Sequence, residues 1–201
     1  MIRVLIAEDQ AMVRGALASL LGLEPDVEVV AQVSRGDEVL TTALKARPDV
    51  ALLDIEMPGR SGLDALGDLV AALPHCRILI LTTFGRPGYL RRAMEGGASG
   101  FLLKDAPANE LATAIRRAVA GERVVDPGLA AAALSQGESP LTRREHEVLA
   151  ASRQHATVAE LAGALYLSPG TVRNHLSSVM QKLDARNRAE AVRVAEERGW
   201  L

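Results

Sequence analysis

Two patterns of apolar residues alternate along the first 125 positions of the chain. Short apolar runs fall at residues 2–7, 27–33, 50–53, 78–81 and 101–103. They are β-branched or Leu-rich and lie near Gly, Pro or Asp, as buried strands do. They hold three or more consecutive apolar residues rather than a strict alternation, which predicts strands covered on both faces, as in a parallel sheet. Amphipathic stretches lie between the runs, near 11–22, 36–46, 63–73, 87–96 and 107–120. Ala16, Leu17, Leu20 and Leu21 share one helical face, as do Leu111, Ala114, Ile115 and Ala118. Five strand–helix repeats predict a doubly wound α/β domain, a five-stranded parallel sheet with right-handed crossovers.

After about residue 125 the strand signals stop. Residues 126–140 read as a short Ala-rich helix followed by a linker. Three helix starts then come in succession. Thr142-x-x-Glu145 and Thr157-x-x-Glu160 match the capping box, in which hydroxyl and carboxylate satisfy free amides at a helix N-terminus. Ser168-Pro169 places a capping hydroxyl before a first-turn proline. A fourth helical stretch covers about 187–198 and ends at Gly199. The expected division is a doubly wound domain over 1–122, a linker with a short helix over 123–138 and a small all-α module over 139–201.

Composition narrows the class. Hydrophobic residues make up 48% of 201, enough for a core and too many for a mainly disordered chain. Aromatics are 2%, so that core must be built from Leu, Val, Ile and Ala. The single cysteine, Cys76, excludes an intramolecular disulfide framework and a Cys-based metal cluster. With no apolar run of about 18 residues and no signal-peptide pattern, a cytoplasmic protein with no membrane insertion is expected. The net charge of −2 conceals two different parts. Residues 1–125 hold 16 acidic and 14 basic groups, whereas 139–201 hold 7 and 9. That asymmetry is a mild pointer to a nucleic-acid partner for the second part.

Candidate chemistry gathers at strand ends. In a doubly wound sheet, functional groups collect at the carboxyl ends of the strands. Glu8 and Asp9 follow the first run, Asp54 follows the third, Thr82-Thr83 end the fourth, and Lys104 ends the fifth. Three carboxylates around one crevice repel one another unless a cation is present, and an oxygen-only site suits Mg²⁺. No phosphate-binding G-x-x-x-x-G-K-[ST] motif occurs, and Gly96-Gly97-Ala98-Ser99-Gly100 does not fit the dinucleotide fingerprint.

Glu8-Asp9, the 52–59 segment Leu-Leu-Asp-Ile-Glu-Met-Pro-Gly with Gly62-Leu63, Leu81-Thr82-Thr83, and Lys104 with Pro107 resemble the receiver domain of bacterial two-component response regulators. The likeness covers residues 1–122, in order and at family spacing, and implies a flavodoxin-like strand order. It implies that Asp54 accepts a phosphoryl group from a phosphohistidine on a sensor histidine kinase. Glu8, Asp9, Asp54 and the backbone carbonyl of Glu56 would bind Mg²⁺, and Lys104 would neutralise charge on the transferred oxygens. Thr82 would hydrogen-bond the phosphoryl group, and Phe101 would be the aromatic that moves inward with it; a static core aromatic is the alternative for Phe101. Ala106 stands where the family usually has a capping hydroxyl, so the fifth helix is expected to begin less firmly.

The second part points to DNA. Residues 158–167, the turn Ser168-Pro169-Gly170 and residues 171–183 have helix-turn-helix spacing, in which the second helix enters the major groove. Val172, Leu176, Val179, Met180 and Leu183 form its apolar stripe. Thr171, Arg173, Asn174, Ser177, Ser178, Gln181 and Lys182 fall on the other side, a face suited to base edges and phosphates. The segments 141–149, Glu160-Leu161-Ala162, 167–176, Lys182-Leu183 and 187–191 resemble the LuxR-type helix-turn-helix domain, and the pair of domains resembles NarL/FixJ-type regulators. By that resemblance Arg173, Asn174 and Ser177 face the groove, while Thr171 and Lys182 lie near phosphates. It further implies double-stranded promoter DNA and RNA polymerase as partners, and a homodimer on phosphorylation. Arg91, Arg92, Asp105, Arg116 and Arg117, or alternatively Met12, Ala16 and Leu20, are candidates for the dimer surface. The segment 151–156 lacks the glycine usual in the family, so its turn is expected to be shaped differently. His75, His146, His155 and His175 lack metal-ligand spacing. Residues 82–89 and 6–10 resemble the subgroup that includes regulators of fatty-acid desaturase genes. Three other readings stay open: a DNA-binding regulator that works without phosphorylation, a Mg²⁺-dependent phosphatase or phosphotransferase with an appended helical domain, and a pure protein-interaction module, which salt-sensitive binding to a duplex would exclude.

Overall fold

In the computed structural model the alternating first part forms one parallel sheet. Residues 1–83, 85–105, 108–135, 139–198 and 200–201 are described, without the side chains of 108, 109, 132, 134 and 135. The cap at Ala106 and Pro107, Phe84 and the helix stop at Gly199 lie outside the described residues. The strands are β1 (Ile2–Ala7), β2 (Val27–Val33), β3 (Val50–Asp54), β4 (Arg77–Thr82), β5 (Gly100–Leu103) and β6 (Val124–Val125). Their order is β2-β1-β3-β4-β5-β6, every pair parallel. The first five follow the flavodoxin-like order expected.

The sheet has six strands where the sequence predicts five. Val124 and Val125 pair with Gly100 and Phe101, inside the stretch read as linker. A two-residue run is too short to carry a periodic signal. The edge pairing depends on Gly100, where a Cβ would lie 2.6 Å from the Val124 carbonyl oxygen.

Helices α1 (Ala11–Leu21), α2 (Val39–Ala46), α3 (Gly62–Ala72), α4 (Pro87–Glu95) and α5 (Ala108–Val119) fill the connections, with a short 3₁₀ turn over Gly36–Glu38. Val4, Ile6, Val50, Leu52, Leu79 and Leu81 pack in one cluster with Leu21 of α1 and Ala114, Ile115 and Ala118 of α5. Leu5, Ala51, Leu53, Ile78 and Ile80, one residue out of phase, are buried as well. Successive strand residues point to opposite faces, so the sheet is covered on both sides, as the uninterrupted apolar runs require.

Beyond the sheet come α6 (Pro127–Ser135), α7 (Arg143–Ala151), α8 (Val158–Leu165), α9 (Pro169–Leu183) and α10 (Arg188–Glu197). Both capping boxes form, on Thr142 with Glu145 and Thr157 with Glu160, and Ser168 accepts from the Thr171 N–H. Each such cap is worth about 1 kcal/mol. Two apolar clusters hold this part together, one around Leu149, Val179, Leu183 and Trp200 and one around Val148, Leu161, Val172 and Leu176. The chain divides into two compact units, residues 1–85 with 90–130, and residues 86–89 with 131–201.

A carboxylate pocket at the strand ends and an exposed recognition helix

Strand register assembles the first site. Ala7 lies opposite Leu53, so Glu8 and Asp54 leave the sheet at the same level. Asp54 lies opposite Leu81 and Thr82 opposite Leu103, which brings Thr82 and Lys104 to that edge. The Lys104 N–H donates to the Thr82 carbonyl at 2.8 Å, continuing the ladder by one rung. Glu8, Asp54 and Thr82 are buried, and Asp9 is exposed.

Glu8, Asp9 and Asp54 each offer an oxygen within 4.8 Å of the others. Two like charges at that separation repel by roughly 3 kcal/mol at an effective dielectric of about 20. Lys104 supplies one counter-charge. Its Nζ lies 2.7 Å from Glu8 Oε2 and 3.0 Å from Asp54 Oδ2. Burial opposes its charge, but the hydrogen bonds to Glu8 and Asp54 prevail and raise its pKa, so the ammonium is retained. Burial pushes the Asp54 carboxyl above its ordinary value, with the Lys104 hydrogen bond and ion pair acting against it and the Glu8 charge adding to it. The Glu56 N–H also reaches the Asp54 carboxylate, so this peptide lies against the pocket.

The donor set fits a hard divalent cation. It is oxygen-only, and one ammonium leaves three carboxylates under-neutralised. Phe101 is fully buried. The lone thiol, Cys76, is buried before the start of β4, at the end of that strand away from Thr82, and burial pushes it up to about 12.

Arg14 and Gly62 also shape the pocket, and of the two only Gly62 stands in the sequence motif. Arg14 on α1 donates to the carbonyl oxygens of Glu8, at 2.6 Å, and Asp9, at 3.4 Å, clamping the loop that carries two of the three acids. No spacing signal announces a side chain reaching back six residues to a carbonyl. Gly62 admits the tight return of the chain after Asp54, because a Cβ there would lie 2.0 Å from the Asp54 carbonyl oxygen. Of the charged groups suggested for a dimer surface, Arg92 pairs with Asp64, Arg116 with Glu24 and Asp26, and Arg117 with Glu122, all within the chain.

The second site is the surface of α9. Val172, Leu176, Val179 and Leu183 are buried, while Arg173, Asn174, Ser177 and Gln181 are exposed and Thr171 is half-buried. Two residues expected on the open face, half-buried Ser178 and exposed Lys182, also reach the Glu145 carboxylate. Ser178 Oγ donates to Glu145 Oε1 at 2.6 Å, and Lys182 Nζ lies 2.6 Å from Glu145 Oε2. Glu145 is buried and needs a counter-charge, which the still-exposed Lys182 supplies from the rim of the domain. The capping box made Glu145 visible in the sequence, but its second role depends on α9, 33 and 37 residues on. The 152–156 turn closes with no left-handed residue, which explains how it dispenses with glycine.

Fold and pocket together define a receiver joined to a helix-turn-helix module, and comparison with known proteins agrees. Residues 4–116 match the response regulator receiver domain, and residues 139–195 match the bacterial regulatory proteins of the luxR family. The chain is 49% identical to the uncharacterised transcriptional regulatory protein YvfU and 46% identical to the transcriptional regulatory protein DesR, both of Bacillus subtilis strain 168. Each likeness covers 100% of both chains. The crystal structure of the response regulator ChrA of a heme-sensing two-component system is 34% identical, with a TM-score of 0.58 over 100% of this chain and 98% of that one. RcsB, solved as two dimers bound to two parallel DNAs, shares the fold at 22% identity, with a TM-score of 0.69 over 98% of each chain. The chain therefore belongs to the response regulators that carry a LuxR-type DNA-binding domain, and it is a transcriptional regulator rather than an enzyme in the ordinary sense. Among the described residues, no helix is long and apolar enough to cross a membrane.

Proposed function

We propose that this regulator is a phosphorylation-controlled DNA-binding switch, with a receiver over 1–122 and a DNA-binding domain over 139–201. Asp54 is the phosphoacceptor, and a sensor histidine kinase is the donor. Glu8, Asp9, Asp54 and the carbonyl of Glu56 hold Mg²⁺, which when bound neutralises charge on the transferred oxygens. The observation that carries the reading is the Lys104 ammonium, 3.0 Å from Asp54 Oδ2 at the edge of a three-carboxylate cluster.

An Asp54 oxygen attacks phosphorus in line. The new P–O bond forms as the P–N bond to the kinase imidazole breaks, and the imidazole nitrogen keeps the electron pair and takes up a proton. Lys104 is poised to exchange its Asp54 contact for a phosphoryl oxygen, and the Thr82 hydroxyl to donate to another. These contacts exist only after transfer, so they favour one receiver state over the other. Phe101, in the strand next to Thr82, reports that state. The favoured state is a homodimer, and two copies of α9 then reach successive half-sites of promoter DNA. Arg173, Asn174 and Ser177 address base edges and Thr171 a phosphate. Lys182 remains the support of Glu145 until DNA competes for it.

The test is phosphoryl incorporation from a small-molecule phosphodonor with Mg²⁺. Wild type should take up one group per chain and Asp54→Asn none. Equal labelling of the two would overturn the assignment of Asp54.

A further inference from the structure

Tyr166 is 95% exposed, more than any other large hydrophobic side chain described. It ends α8 with φ 54° and ψ 44°, the left-handed conformation in which an L side chain is strained and Gly or Asn is usual. The cap has a purpose. The Leu167 N–H donates to the Ala162 carbonyl at 2.9 Å, and Leu167 packs on the cluster of Val148, Leu161, Val172 and Leu176. Turning Leu167 inward leaves Tyr166 outward, and its ring gains nothing from the domain's own core. A strained position filled by an exposed aromatic points to something outside the fold.

Its place identifies that partner. Tyr166 stands two residues before Ser168, the cap of α9, on whose outer face Arg173, Asn174 and Ser177 are exposed. In helix-turn-helix docking the first helix crosses the DNA backbone, while the start of the second enters the groove. The turn between them lies over sugar and phosphate. We propose that Tyr166 contacts duplex DNA there, its ring against deoxyribose and its hydroxyl donating to a phosphate oxygen. This rests on α9 being the recognition helix. A backbone contact carries no sequence information, so Tyr166 adds affinity to any duplex, while selection stays with Arg173 and Asn174.

The experiment uses the full chain and fluorescence anisotropy with two duplexes, one selected from a random pool by the wild type and one of unrelated sequence. Tyr166→Phe removes only the hydroxyl. Tyr166→Asn removes the ring and suits the left-handed cap, so its melting temperature should equal or exceed that of wild type. Both variants should weaken both duplexes by the same factor, about threefold to tenfold. Arg173→Ala should weaken mainly the selected duplex. If both tyrosine variants bind within about twofold of wild type while Arg173→Ala loses affinity, the Tyr166 contact is refuted and the recognition helix stands. If Arg173→Ala also binds normally, the reading of α9 itself fails. Normal DNA binding with impaired transcription by purified RNA polymerase would overturn the DNA contact in favour of a protein one. A loss confined to the selected duplex would overturn it in favour of base readout.

Discussion

Glu145 should be the polar side chain that ties the start of α7 to α9 in the DNA-binding unit. Its carboxylate is 5% exposed and accepts hydrogen bonds from the Thr142 N–H at 2.7 Å, Ser178 Oγ at 2.6 Å and Lys182 Nζ at 2.6 Å. It therefore joins the start of α7 to two positions of α9. Burial alone would raise its pKa. The Lys182, Ser178 and Thr142 bonds prevail and hold it at about 2 against an ordinary 4.5. A shift of that size corresponds to about 3 kcal/mol, and solvent around the partly exposed Lys182 brings the working figure to about 2. A depressed carboxyl contributes stability that is complete above its unfolded pKa and is lost as pH falls through the folded value. Glu145→Gln should thus lower the melting temperature of this unit by about 10 °C at pH 7. The gap from wild type should close progressively between about pH 5 and pH 2. Trp200 is the only tryptophan and is buried in the cluster with Leu149 and Val179, so its fluorescence reports this unit. A Glu145→Gln protein melting within about 2 °C of wild type at pH 7, or a gap that does not change with pH, would refute the reasoning.

Three further outcomes follow from the receiver. Lys104→Met leaves Glu8 and Asp54 buried without their shared ammonium, so the Asp54 pKa should rise further and phosphoryl uptake should slow by about tenfold or more, read by labelling over time. Gly62→Ala puts a Cβ against the Asp54 carbonyl oxygen, where only backbone movement can relieve the clash. It should destabilise the receiver by about 2 kcal/mol or more in urea titration, whereas Gly67→Ala, with open space around its Cβ, should not. A Mg²⁺ site that exists only in the folded pocket makes a direct prediction: saturating Mg²⁺ should stabilise wild type by about 2–3 kcal/mol at a hundredfold excess over its dissociation constant. Asp9→Asn should remove most of that gain, and a wild type indifferent to Mg²⁺ would exclude a cation site at this cluster.

The strands and helices were legible because their apolar periodicities are long and mutually consistent. Strand parity and register then carry Glu8, Asp54, Thr82 and Lys104 to one edge, so the pocket could be anticipated from residues adjoining apolar runs. What escaped depends on contacts between distant positions. β6 exists only because Gly100 lets Val124 approach, and Arg14 acts on carbonyl groups, which leave no trace in a residue pattern. Lys182 and Ser178 lie where a helical wheel puts the open face. A wheel cannot see Glu145 approaching from another helix and taking a hydrogen bond from each.

Phosphorylation of Asp54 should control DNA binding. The most direct measurement is the affinity of wild type and Asp54→Asn for a duplex selected by the wild type, with and without phosphodonor and Mg²⁺, alongside mass in solution. The phosphodonor should tighten wild-type binding by about tenfold or more and shift the protein from monomer to dimer, and it should leave Asp54→Asn unchanged in both. Wild-type affinity and mass that do not respond to the phosphodonor, or an Asp54→Asn protein that responds as wild type does, would contradict the account.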